Sequence, residues 1–115
     1  MVAAYYLHGT GRCAKCIKFE EYSDEVIRTD FAEALKKGTL EWHILNTDKA
    51  EHEHFVEDFQ MVTKGVVVAE VVDGKVKRYK NLDKIWSLVK DKDEFQDYIR
   101  SEVEAYIKGG KGKGE

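Results

Sequence analysis

Apolar residues run almost unbroken through residues 2–7 (VAAYYL) and stop at Gly9 and Gly11, a pattern that predicts a buried strand. Residues 13–37 change period. Cys13, Cys16, Phe19 and Glu20, then Val26, Ile27, Phe31, Ala34 and Leu35, recur every three or four positions, as on one face of a helix. Ser23 is a candidate cap inside that stretch and predicts a break near Tyr22–Ser23, while Gly38 predicts the stop. Residues 40–46 alternate, with Leu40, Trp42 and Ile44 on one side and Glu41, His43 and Leu45 on the other, which predicts a second strand.

Residues 48–60 return to helical spacing, with Phe55, Val56 and Phe59 expected inward. A β-branched run at 65–72, Asp73-Gly74, and a second short run at 75–80 predict a hairpin closed by a type I′ turn. Asn81 is a candidate cap for a helix whose Leu82, Ile85, Trp86 and Val89 share a face. Residues 92–108 continue as helix, with Phe95, Ile99, Val103, Tyr106 and Ile107 inward. The order is β-α-β-α-β-β-α. Its βαβ opening calls for a right-handed parallel crossover, and its hairpin adds antiparallel strands to the same sheet. The expected class is α/β, with a central mixed four-stranded sheet flanked by helices.

Length adds that one domain, residues 1–108, accounts for the chain, followed by a disordered tail at 109–115 without an apolar residue. Charge lowers the prospect of nucleic-acid binding: 19 Lys and Arg stand against 22 Asp and Glu, a formal net charge of −3. No apolar run approaches a membrane span, and a monomer is expected. The start, MVAAYYLHG, lacks the regions of a secretory leader. The expected compartment is therefore cytoplasmic as the chain stands, or exported or periplasmic if a leader has been trimmed.

The candidate chemistry lies in GTGRCAKC, residues 9–16, which holds both cysteines of the chain. A C-x-x-C pair just after a strand and opening a helix can be a redox pair, half of a metal site, or two buried thiols. The helix N-terminus, Arg12 and Lys15 all favour a thiolate at Cys13 and so a usable nucleophile. Cys16, three residues on and on the same face, would resolve a mixed disulfide. His8, at the strand end, is a candidate proton carrier. Zinc needs four ligands, and Cys13 and Cys16 supply two, so no metal or other cofactor is assigned, though a metal shared with a second chain fits the chemistry. His52 and His54, two apart, point to different helix faces and do not form a metal pair.

The stretches YYLHGTGRCAKCIKFEEYSDE, LNTDKAEHEHFVEDFQMVTKGVVV, DGKVKRYKNLDKIW and EFQDYIRSEVEAYI resemble the thioredoxin-like superfamily. Most narrowly they resemble the bacterial thioredoxin-like family whose members are named as nitrophenyl-compound nitroreductase subunits. The resemblance spans about residues 4 to 107, and H-G-x-x-R-C-x-x-C and N-L-D-x-x-W are its most specific parts. It implies a thioredoxin-like fold and a redox-active Cys13–Cys16 pair. It also implies a partner-facing loop at Thr63, Lys64 and Gly65. No G-x-G-x-x-G fingerprint accompanies it, so only the fold and the redox pair carry over.

Three departures separate the chain from thioredoxin itself. It has no proline to supply the cis-proline facing the cysteines, its first strand has no buried acid, and Arg12 replaces the aromatic residue before the first cysteine. These departures point to a thiol–disulfide oxidoreductase acting on a specific partner protein or small thiol, not to a general reductase. The alternative is a non-catalytic module of the same fold whose cysteines bind metal or are structural.

Overall fold

β-Branched and aromatic residues make Val2–His8 the first strand, β1, and the alternating Leu40–Asn46 the second, β2. The computed structural model describes residues 1–11, 14–60 and 65–109, with Lys15 placed by its backbone alone. Gly65–Val72 forms β3 and Lys75–Asn81 forms β4. The helices are α1 (Ala14–Asp30), α2 (Ala32–Lys37), α3 (His54–Asp58), α4 (Ile85–Leu88) and α5 (Lys92–Gly109), and a single 3₁₀ turn covers Ala50–His52. The tail proposed at 109–115 lies outside the described residues except for Gly109, which ends α5.

The strands lie in the order β2-β1-β3-β4. β1 and β2 are parallel; β3 is antiparallel to both β1 and β4. The class is therefore α/β, with a mixed four-stranded sheet between helical layers. The hairpin turn is as its residues require: Asp73 and Gly74 both have positive φ, 54° and 79°, the type I′ combination.

Alternation along β1 divides the core. Val2, Ala4 and Tyr6 face α1, α4 and α5, where they meet Phe19, Ile27, Ile85, Phe95 and Ile99. Leu7 faces the other way and meets Phe59, Val67 and Ala69 beneath α3. Asp24 of α1 fastens the first layer to the sheet edge, accepting from Trp42 Nε1 at 2.9 Å and from Arg28 Nε at 2.7 Å.

Four expectations need correcting. α1 passes through Tyr22–Ser23 without a break and ends at Asp30, the break from α2 falling at Phe31. Ser23 lies one turn beyond Phe19 and one turn before Ile27, on the buried stripe, so its side chain faces the core instead of capping an end. The helix expected at 48–60 is a 3₁₀ turn and a short α-helix, and Val56 is exposed while Phe59 is buried. Asn81 is the last residue of β4 and not a helix cap; its Nδ2 donates to Phe59 O at 2.9 Å. The helix expected after it is the four residues of α4, yet Leu82, Ile85 and Val89 are buried as expected.

Gly38 does stop α2. At φ 81° its N–H bonds Leu35 O while Thr39 N–H bonds Ala34 O at 3.0 Å, the paired closure that favours glycine at this position.

Candidate functional site

The parallel pairing of β1 with β2 fixes where the cysteine segment can lie. His8 is opposite Asn46, and Leu7 is opposite Gly65, so the exits of β1 and β2 and the entry of β3 share one sheet end. The chain leaves β1 there and opens α1 at Ala14, which sets Cys16 in the first turn of that helix. Cys16 is buried, 4% exposed. Cys13 is the other cysteine of the chain and lies, with Arg12, outside the described residues.

Tyr6, which the sequence pattern did not single out, holds this segment together with His8. Tyr6 is wholly buried under α1, and its hydroxyl donates to Cys16 O at 2.9 Å. The His8 ring stacks on the Tyr6 ring, centroids 5.5 Å apart, and its Nδ1 donates to Gly9 O at 2.8 Å. His8 therefore lies at the sheet end where the cysteine segment leaves β1, with one ring nitrogen committed to the loop backbone.

The second clamp comes from the residues after β2. Thr47 N–H donates to His8 O at 2.7 Å, and Asp48 Oδ2 accepts from Thr10 N–H at 2.8 Å. Asn46 Oδ1 in turn accepts from Asp48 N–H at 2.9 Å, and its Nδ2 donates to Thr10 Oγ1 at 3.2 Å. The available signal was Asn-Thr-Asp directly after a strand, a turn-forming sequence whose side chains bond nearby backbone.

Comparison with protein-family models, curated proteins and solved structures found no match to this chain.

Charge around the first turn of α1 is one-sided in what is described: the turn carries no acidic side chain. Lys15 belongs to it by backbone position. Glu20, one turn after Cys16, is half-buried. Gly65 is buried at the entry to β3, with room for an added Cβ at 3.6 Å from Ile85 Cδ1. Thr63 and Lys64, the rest of the expected partner loop, lie outside the described residues. Among the described residues no three His, Cys, Asp or Glu side chains come together as a metal-binding group. His52 and His54 do diverge, toward Asn46 O at 3.2 Å and Asp58 Oδ2 at 2.7 Å. No helix among the described residues is long and apolar enough to cross a membrane.

Proposed function

We propose that the chain is a thioredoxin-like thiol–disulfide redox protein in which Cys13 and Cys16 cycle between dithiol and disulfide. The observation that carries this reading is the position of Cys16: buried in the first turn of a long helix, at the exit of a central parallel strand. A helix N-terminus stabilises negative charge nearby, and Arg12 and Lys15 add to it through the sequence, so the thiolate is favoured at the outer cysteine.

The chemistry balances as two exchanges. The Cys13 thiolate attacks one sulfur of a substrate disulfide, forming a mixed disulfide and expelling the other sulfur as a thiolate. The Cys16 thiolate then attacks the Cys13 sulfur, forming the intramolecular disulfide and releasing the substrate as a dithiol. Burial of Cys16 suits the second role, because only an intramolecular disulfide reaches it readily. The absence of proline and of a β1 carboxylate supports a specific partner, a protein or a small thiol, over a general reductase.

The test is trapping. Cys16→Ser protein incubated with oxidised glutathione is expected to accumulate a stable glutathione adduct by intact mass, while wild type forms it only transiently. Equal adduct lifetimes in the two proteins would remove Cys16 as the resolving thiol.

A further inference from the structure

The sheet face under α3 is only partly covered. Between α3 and β4 a groove of about 670 Å³ remains open. Its floor is aromatic: Tyr5 lies 5.3 Å from Phe55 and 5.4 Å from Phe59, and Phe59 lies 5.2 Å from Tyr79, centroid to centroid. Its outer wall is β4, which among the described strands pairs with β3 alone.

Cations on β4 fall into two groups. Arg78 pairs with Glu70 at 2.7 Å and Lys80 with Glu102 at 3.1 Å. Lys75 and Lys77 line the groove, are exposed, and have no ion-pair partner among the described residues. Asp58, the acid at the rim, is engaged by His54 at 2.7 Å. Among the described residues the groove thus combines ring faces, two unmatched ammonium groups and a strand with one unpaired edge.

We infer that this groove and the β4 edge bind an extended acidic peptide segment carrying apolar or aromatic side chains. Such a segment adds to β4 through its backbone and turns one face to the groove, setting an apolar side chain beside Tyr79 and carboxylates beside Lys75 and Lys77, which alternate onto that same face. The same lysines disfavour a second copy of this chain, which would bring another cationic β4 to the edge. A single-stranded nucleic acid could also stack on the rings, but two unmatched lysines on a chain of net charge −3 give little to hold a phosphate backbone. The inference does not depend on the cysteines.

Fluorescence anisotropy of a short labelled peptide carrying glutamate, glutamate and phenylalanine at successive alternate positions, with serine between them, tests it. Wild type is expected to bind this probe saturably and to ignore a lysine–phenylalanine counterpart. The Lys75→Glu/Lys77→Glu double variant is expected to weaken binding roughly tenfold or more, since like charges then face each other. Lys37→Glu, remote from the groove, is expected to leave binding unchanged. Absence of saturable binding, equal affinity for the basic probe, indifference to the double substitution, an equal loss in Lys37→Glu, or tighter binding of a single-stranded oligonucleotide would each overturn the proposal.

Discussion

The hydroxyl of Tyr6 donates to the carbonyl oxygen of Cys16 across 2.9 Å inside the core, joining the central strand to the first turn of α1. Tyr6→Phe keeps the ring that stacks on His8 and removes the hydroxyl that makes this bond. It is expected to lower unfolding stability by about 1 kcal/mol, the usual net worth of a buried hydrogen bond. Urea denaturation checks this; unchanged stability would show that the bond does not anchor the helix.

Asp48 has a comparable role on the opposite side of the segment, through the Thr10 amide. Asp48→Ala is expected to speed hydrogen exchange at Thr10 about fivefold, for the loss of about 1 kcal/mol of local protection. Asp48→Asn keeps an acceptor oxygen and is expected to preserve most of that protection. Equal exchange in all three proteins would remove Asp48 as the anchor of the loop.

Ser23 sits on the buried stripe of α1, and its Oγ has no hydrogen-bond partner among the described residues. A buried hydroxyl without a partner destabilises, and alanine is also the better helix former. Ser23→Ala is therefore expected to stabilise the protein by about 1 kcal/mol, raising Tm by about 4 °C in scanning calorimetry. A lower Tm would mean that the hydroxyl contributes to the native state.

Between α1 and α5, Lys92 Nζ lies 2.9 Å from Glu25 Oε1. The hydrogen bond and the charge of Lys92 hold the Glu25 carboxyl below its ordinary value. A carboxyl lowered in the folded state contributes stability that is present at neutral pH and lost as pH falls through the carboxylate range. Glu25→Gln is accordingly expected to shallow the acid limb of a stability-against-pH curve, by a small amount because the pair is exposed. An acid limb that steepens would contradict this assignment.

Much of the fold was legible because its signals are local. Asp73-Gly74 and Gly38 announce backbone with positive φ, and the alternation at 40–46 announces a strand. The region after β2 was less legible: His54–Asp58 is so short that its position depends on Phe59 packing against Leu7 and Val67, which no window of sequence contains. Ser23 misled for a related reason, since a residue that caps well in isolation here follows the buried stripe between Phe19 and Ile27. In the site, Cys16 was legible from spacing. Tyr6 and Asp48 were not, because their bonds span 10 and 38 residues and exist only once α1 has packed on β1 and β2 has paired with it.

The central claim is tested most directly by the reduction potential of the Cys13–Cys16 couple, measured by thiol alkylation across glutathione and dithiothreitol buffers. Redox exchange predicts a value between about −270 and −120 mV, the span of dithiol catalysts. A disulfide that never forms, or one more reducing than about −300 mV, would contradict it and leave the pair structural or metal-binding.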